Sequence, residues 1–162
     1  MFNQIKFMRN FLSILLILAC SISYGQYTGN TPWSDCYGQN KECKKVGCSD
    51  IKIETSESEP VMAIVKKNDK VFRHSYISKN SSFTFELPDG VYQVFFYYGK
   101  NWDNYKKMSS GDCNNLLGGF LTDEYVSKDD PITIKGQILI YTLESVTLGN
   151  FSPKSSELSE IF

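Results

Sequence analysis

Apolar and polar residues alternate with a period of two in several short stretches after position 50, and this alternation predicts β-strands. The alternation begins at Ile51 and Ile53 and returns at Phe83, Phe85 and Leu87. No stretch of the chain shows the repeat of a helix of normal length. The pattern predicts an all-β fold, an antiparallel β-sandwich of seven to eight short strands. The other predicted strands lie at 61–66, 71–77, 91–98, 120–126, 132–134 and 138–146.

Turn-forming residues separate the predicted strands. Asn68-Asp69 predicts a hairpin, and Pro88-Asp89-Gly90 predicts a tight turn because proline fixes φ and glycine accepts a positive φ. Residues 26–49 lack any periodicity and predict an irregular arm that contains cysteines. Residues 100–119 are polar and predict a long loop, of the kind that is functional or tethered.

The most apolar run of the chain precedes all of these strands. Phe11–Cys20 follows the basic residues Lys6 and Arg9, and Ser23-Tyr24-Gly25 places small residues before Gln26. This pattern is typical of a secretory signal peptide, and the run is well short of the ~20 residues that span a bilayer. The mature chain is therefore predicted to be secreted or periplasmic, without a transmembrane helix. The predicted organisation is a signal peptide (1–25), an arm (26–49), a β-sandwich domain (50–151) and a polar C-terminal tail (152–162).

An alternative signal lies inside the same run. Ile17-Leu18-Ala19-Cys20 is similar to the lipobox of bacterial lipoproteins, in which the cysteine is lipidated. That resemblance implies a protein anchored to the envelope through Cys20, in place of a secreted one.

Charge excludes one class of partner. Removal of Lys6 and Arg9 leaves 15 of the 17 basic residues against 18 acidic ones, so the mature net charge is −3. The sequence has no basic cluster, and binding to nucleic acid is not expected.

Four cysteines remain after the predicted cleavage: Cys36, Cys43, Cys48 and Cys113. An even number in an exported chain predicts two disulfides. Each of the three possible pairings links Cys113 to the N-terminal arm, and the sequence does not choose among them. The alternative is a zinc site with four thiolates, although only Cys43 and Cys48 come near the usual ligand spacing.

The stretch Phe83-Thr-Phe-Glu-Leu-Pro-Asp-Gly-Val-Tyr-Gln-Val-Phe95 resembles the strand–turn–strand core of transthyretin-like, carboxypeptidase-regulatory-like domains. The resemblance covers residues 50–98 and implies an accessory or binding module without chemistry of its own.

The mature chain also resembles a group of small exported bacterial β-proteins to which no activity is attached. The shared features are Cys-Tyr-Gly (36–38), Arg-His-Ser-Tyr-Ile (73–77), Phe-Phe-Tyr-Tyr-Gly-Lys-Asn-Trp (95–102) and Gly-Gly-Phe-Leu-x-Asp-Glu (118–124). This resemblance implies export and little more.

An aromatic cluster is the best candidate for a ligand-binding site. Tyr98, Trp102 and Tyr105 follow one another at the end of the predicted strand 91–98 and in the loop beyond it. Exposed aromatic rings near lysines stack on sugars or anchor a protein partner. The alternative is that Trp102 packs on the end of the fold.

The residues available for catalysis are few. His74 is the only histidine, and Ser75 next to it points to the opposite face of a strand. Asp123, Glu124 and Asp129-Asp130 form an acidic segment. Carboxylates can bind Ca²⁺ or act as the catalytic pair of a glycoside hydrolase, but the residue spacing of a calcium-binding loop is absent. No cofactor, metal or catalytic residue is therefore assigned.

The sequence predicts an exported, non-enzymatic binding or envelope-associated module with an envelope, glycan or protein partner. The alternatives are the Cys20-anchored lipoprotein subunit and a small secreted hydrolase.

Overall fold

The computed structural model describes residues 26–44, 46–144 and 154–162. The predicted signal peptide and Cys20 lie outside these residues. The described part forms nine strands and two one-turn helices. They are α1 (Ser34–Tyr37), β1 (Cys48–Thr55), β2 (Val61–Lys67), β3 (Lys70–Ile77), β4 (Ser82–Pro88), β5 (Gly90–Lys107), β6 (Leu117–Lys128), β7 (Ile132–Ile134), β8 (Ile138–Leu143), β9 (Lys154–Ser156) and α2 (Leu158–Ile161).

The strands form two sheets, and the all-β prediction is confirmed. The smaller sheet has the order β4-β1-β8, and the larger has the order β3-β2-β5-β6-β9, with β7 paired to the start of β5. One pair corrects the antiparallel prediction, because β1 and β8 run parallel with Ile51 opposite Leu139. Alternation has the same period in parallel and antiparallel strands, so the sequence does not reveal the direction of a strand.

Side chains from both sheets meet in one buried cluster, the inner cluster. In β1, Ile51 and Ile53 are fully buried, whereas Lys52 between them is partly exposed. This alternation follows from the pleat of a strand, which directs successive side chains to opposite faces. The arrangement of the two sheets as a sandwich stays a prediction. The inner cluster consists of Ile51, Ile53, Val61, Ala63, Val65, Ile77, Phe85, Leu87, Tyr92, Val94, Phe96, Ile134 and Tyr141.

Both predicted turns are present, with one difference in backbone conformation. Asn68 and Asp69 join β2 to β3 with φ of 52° and 59°, which suits a two-residue hairpin. Asp89 alone separates β4 from β5. Gly90 lies outside the left-handed region, so the expectation that its φ is positive is wrong.

The predicted loop 100–119 is also wrong, because β5 continues to Lys107 and β6 begins at Leu117. Only residues 108–116, called the connecting loop below, join the two strands. The register shifts between Tyr98 and Lys100, and beyond the shift Trp102 pairs with Phe120. Pairing with β6 keeps this polar stretch extended. The apolar pattern of β5 alone does not reveal that the strand continues.

The arm covers the free edge of β3. The backbone of Tyr76 accepts a hydrogen bond from the Gly29 N–H and donates one to the Asn30 carbonyl, at 3.0 and 2.8 Å. The Asn40 amide donates to the His74 carbonyl at 2.9 Å. These bonds satisfy backbone groups that an open edge strand would expose.

The C-terminal residues are not a free polar tail. β9 pairs with β6 as the last strand of the larger sheet, and α2 follows it with a capping box between Glu157 and Glu160. Ile161 is only 1% exposed. The described C-terminal segment therefore belongs to the packed structure.

Gly99→Ala is expected to lower the free energy of unfolding by about 2 kcal/mol, the middle of the range for overpacking. A Cβ at position 99 would lie 2.4 Å from Phe120 Cβ and 3.0 Å from the Thr122 carbonyl oxygen, so β5 and β6 would have to separate. Urea denaturation measures the change. Gly111→Ala is the matched control, because nothing lies within 4 Å of its Cβ position. Equal stability of the two variants would contradict this close packing.

Candidate functional site

A second buried cluster, the outer cluster, lies on the face of the larger sheet that is turned away from the inner cluster. Met62 on β2 and Tyr97 on β5 are opposite each other in this face. Trp33 from the arm and Ile161 from α2 cover it, and each is 1% exposed. The arm and the C-terminal segment thus complete a core that the sheet alone would leave open. The outer cluster consists of Trp33, Met62, Ile64, Tyr76, Phe95, Tyr97, Leu116, Phe120, Val126 and Ile161.

Two disulfides are present, as predicted, and the structure selects one of the three pairings. Cys36 is joined to Cys113, and Cys43 is joined to Cys48. The first bridge ties α1 to the connecting loop beside the outer cluster. Sulfurs joined in disulfides are not thiolate ligands, so the alternative of a four-thiolate zinc site is wrong.

A groove of about 530 Å³ opens between the connecting loop and α2. Both of its walls belong to segments fastened over the outer cluster, one through Cys113 and the other through Ile161. Its lining combines charged groups, hydroxyls and apolar side chains, as small-molecule sites do. The charged residues are Lys106, Lys107 and Glu124; the serines are Ser109, Ser110 and Ser159; and the apolar residues are Met108, Leu158 and Phe162.

A polar cluster fixes the charges on one wall of the groove. The Glu124 carboxylate accepts a hydrogen bond from the Tyr97 hydroxyl and pairs with Lys106 at 2.5 Å. The Phe120 N–H donates to the Tyr97 oxygen at 3.0 Å. Burial raises the pKa of Tyr97, with a smaller contribution from Glu124, so the hydroxyl stays a donor. The ammonium of Lys107 has no ion pair or hydrogen bond within the described residues.

Two lysines hold the opposite wall. The Lys66 ammonium donates to the Glu160 carbonyl oxygen at 2.7 Å, and Lys128 forms an ion pair with the Glu160 carboxylate. The two ammonium groups lie 5.3 and 5.9 Å from the centroid of the Phe95 ring. Burial lowers the pKa of Lys66, whereas the hydrogen bond from Lys128 lowers the pKa of Glu160. These contacts hold α2 in place before any ligand arrives.

The three aromatic residues predicted to bind a ligand do not form one surface. Tyr98 packs against the inner cluster and stacks on Tyr125, with 4.5 Å between ring centroids. Trp102 packs against the outer cluster, and its indole N–H donates to Asn104 at 2.9 Å. Tyr105 is 83% exposed. A binding role for each of them stays a prediction.

The irregular part of β5 separates these rings. In an unbroken strand, Tyr98 and Trp102 would share a face, because side chains alternate with a period of two. The register shifts between Tyr98 and Lys100, and Asn101 has a φ of 56°. A shift of this kind redirects the side chains that follow it, and Trp102 joins the other cluster.

His74 is buried and has no access to a substrate. Its Nε2 accepts the backbone N–H of Trp33 at 3.1 Å, and its ring stacks on the Trp33 indole at 5.6 Å between centroids. Burial lowers the pKa of His74 to about 4, and the backbone of Thr31 opposes this shift to a smaller extent. Ser75 is buried in the same strand and bonds weakly to the Tyr76 carbonyl. Both residues are therefore part of the packed interior.

The acidic segment is dispersed among separate partners. Asp123 pairs with Lys100, and Glu124 belongs to the polar cluster described above. Asp129 accepts a hydrogen bond from the Tyr141 hydroxyl at 2.8 Å, and Asp130 pairs with Lys154. Within the three described ranges, no group of three or more His, Cys, Asp or Glu side chains is placed to hold a metal ion.

The sequence does not reveal the apolar residues of the groove. It predicts a polar tail at Leu158 and Phe162 and a long loop at Met108. The one available signal was the apolar pair Ile161-Phe162 at the end of a stretch rich in serine and glutamate.

Comparison with known proteins gives no relative: no family model, curated protein or solved structure matches this chain. The resemblances noted from the sequence thus stay predictions. Among the described residues, no helix has both the length and the apolarity to cross a membrane.

Proposed function

We propose that this protein is an exported, non-enzymatic binding module and that the groove between the connecting loop and α2 is its ligand site. The observation that carries the proposal is that both walls are fixed in the free protein. The Cys36–Cys113 disulfide fastens one wall, and Lys66 and Lys128 fasten the other. A site whose walls are already ordered loses less conformational entropy when it binds.

The two disulfides support the exported location. Disulfides persist in oxidising compartments outside the cytosol, and the predicted signal peptide would deliver the chain there. A binding role also fits the groove better than catalysis does. Among the described residues of its lining, Glu124 supplies the one carboxylate side chain, which is committed to Lys106 and to the Tyr97 hydroxyl, and His74 is buried under Trp33.

The test is an NMR titration with a panel of monosaccharides, short oligosaccharides, amino acids and peptides. We expect the compounds that bind to perturb backbone amide signals at residues 106–111 and 158–162. Ser159→Trp, which places a large side chain in the groove, is expected to remove these perturbations.

Ser82→Trp is the matched control, because Ser82 is also exposed but lies on β4 in the smaller sheet. It is expected to bind like the wild type. The proposal fails if no compound perturbs the groove, or if Ser159→Trp binds as well as Ser82→Trp.

A further inference from the structure

We propose that two copies of this protein associate through β8, which pairs with its counterpart in antiparallel register about a two-fold axis. This surface lies on the smaller sheet, whereas the groove lies over the larger one, so the inference does not depend on the proposed ligand site. Three features carry it: the open backbone of β8, the absence of charge from the strand, and the opposite charges at its two ends.

The backbone of β8 is open along one side. In the order β4-β1-β8 it is the last strand of its sheet. The carbonyl oxygens of Gln137 and Leu143 accept hydrogen bonds from the segment that contains β1, at 2.9 and 3.2 Å, so the odd-numbered residues of β8 face β1. Ile138, Ile140 and Thr142 therefore direct their N–H and C=O groups outward, where no described residue bonds to them. Such a row of donors and acceptors is a template for another strand.

The side chains of β8 leave this edge unprotected. Ile138 is 65% exposed and Ile140 is 55% exposed, and Ile138–Leu143 contains no charged residue, glycine or proline. Proteins protect an edge strand from pairing by charge, proline, short length or a covering segment. The other three end strands of the described sheets use these devices: the arm covers β3, β9 has only three residues, and β4 carries Glu86 and ends at Pro88.

A second copy of β8 fits this edge because the strand is complementary to itself. In antiparallel register centred on Ile140, this residue faces its own counterpart, and Ile138 of each copy faces Thr142 of the other. Each of these three pairs exchanges two backbone hydrogen bonds. The exposed isoleucines then meet on one face of a continuous sheet of six strands, three from each copy. Pairing thus satisfies the open backbone groups and removes apolar side chains from water.

The two ends of β8 carry opposite charges that the same register brings together. Lys135 precedes the strand and Glu144 follows it; both are exposed, and neither forms an ion pair within the described residues. Asp89 lies near Lys135, but its carboxylate accepts hydrogen bonds from a serine hydroxyl and a backbone N–H. Position 136 faces position 144 in this register, so Lys135 of each copy lies beside Glu144 of the other. Opposite charges across paired strands stabilise the pairing.

Analytical ultracentrifugation of the protein with intact disulfides tests the proposal. We expect the average mass to rise from one chain toward two between about 1 μM and about 1 mM, the range in which a small interface dissociates. Ile140→Lys, which places two ammonium groups opposite each other, is expected to keep the protein monomeric. Leu121→Lys is the matched control, because Leu121 on β6 is 53% exposed, close to the 55% of Ile140. The control is expected to associate like the wild type.

Charge reversal tests the register. Glu144→Lys replaces two attractive pairs with two repulsive ones and is expected to weaken the association roughly tenfold. The double variant Lys135→Glu/Glu144→Lys reverses both charges and should restore the affinity. Hydrogen exchange supplies a second measurement, since the amides of Ile138, Ile140 and Thr142 should exchange more slowly as the dimer forms.

Each contrary result overturns a stated part of the proposal. If the protein stays monomeric over this concentration range, β8 does not pair with a second copy; protection of its outward amides in that monomer would show that the edge is covered within one chain. A dimer that survives Ile140→Lys, that leaves these amides unprotected, or that is lost equally in Leu121→Lys, associates through another surface. If the double charge reversal does not restore the affinity, the antiparallel register is wrong, and this test also decides should Ile140→Lys fail to fold. None of these results bears on the groove, which the NMR titration tests separately.

Discussion

Trp33→Ala is expected to lower the free energy of unfolding by about 4 kcal/mol, which is typical of a buried tryptophan cut back to alanine. Trp33 is 1% exposed. Its ring lies among His74, Tyr97, Trp102 and Phe162, with centroids 5.2 to 6.4 Å away. Alanine would leave a cavity in the middle of the outer cluster.

Hydrogen bonding adds to the loss at this position. The Trp33 indole N–H donates to the Gly118 carbonyl oxygen at 2.9 Å, and this bond joins the arm to β6. Without the indole, a buried carbonyl loses its donor, which is costly in itself. Because Phe162 also packs on Trp33, the groove should lose its fixed wall together with the arm.

Urea denaturation of the protein with intact disulfides measures this effect. Tyr105→Ala is the control, because Tyr105 is an aromatic residue that is 83% exposed, and a change within about 0.5 kcal/mol is expected there. If Trp33→Ala cost no more than Tyr105→Ala, the arm would not be part of the folded core.

Acidification from pH 7 to pH 4 is expected to remove about 3 kcal/mol of stability through His74 alone. Burial lowers the pKa of this histidine from 6.5 to about 4 in the folded protein. Between these two values the unfolded chain binds a proton that the folded protein does not. Stability therefore falls as the pH drops from 6.5 to 4, and the contribution of His74 is fully present only above pH 6.5.

The environment of the ring explains the size of this effect. Nε2 accepts the Trp33 N–H, so the proton of the neutral ring lies on Nδ1, which is buried on the side of the Thr31 backbone. Protonation would convert the acceptor Nε2 into a donor that faces the Trp33 N–H. It would also place a charge in an apolar cluster, which is costly.

His74→Gln isolates the contribution of this residue, because the glutamine amide oxygen can replace Nε2 as an acceptor and does not titrate. The free energy of unfolding, measured at several pH values, should lose most of its slope between pH 6.5 and 4 in this variant. Carboxylates with lowered pKa values, such as Asp89 and Glu160, lose their contributions below about pH 4.5 in both proteins. An unchanged slope in His74→Gln would show that other groups cause the acid sensitivity.

Local sequence determined the elements whose signal is local. The period-two alternation around Ile51 and Phe85 identified strands, and Asn68-Asp69 identified a hairpin, because pleat and turn geometry depend on neighbouring residues alone. The number of cysteines predicted two disulfides. It did not select the Cys36–Cys113 bridge, because pairing depends on which segments meet in space.

Tertiary structure decided the features that depend on long-range contacts. The parallel pairing of β1 with β8 and the extension of β5 to Lys107 depend on partner strands, which the alternation of a single strand does not reveal. Trp33 is a core residue although its segment has no periodicity, because the arm packs over the apolar outer face of the larger sheet. The groove joins residues 106–111 to residues 158–162. Only the packing of these two distant segments over the same apolar cluster brings the lysine, the carboxylate and the aromatic ring together.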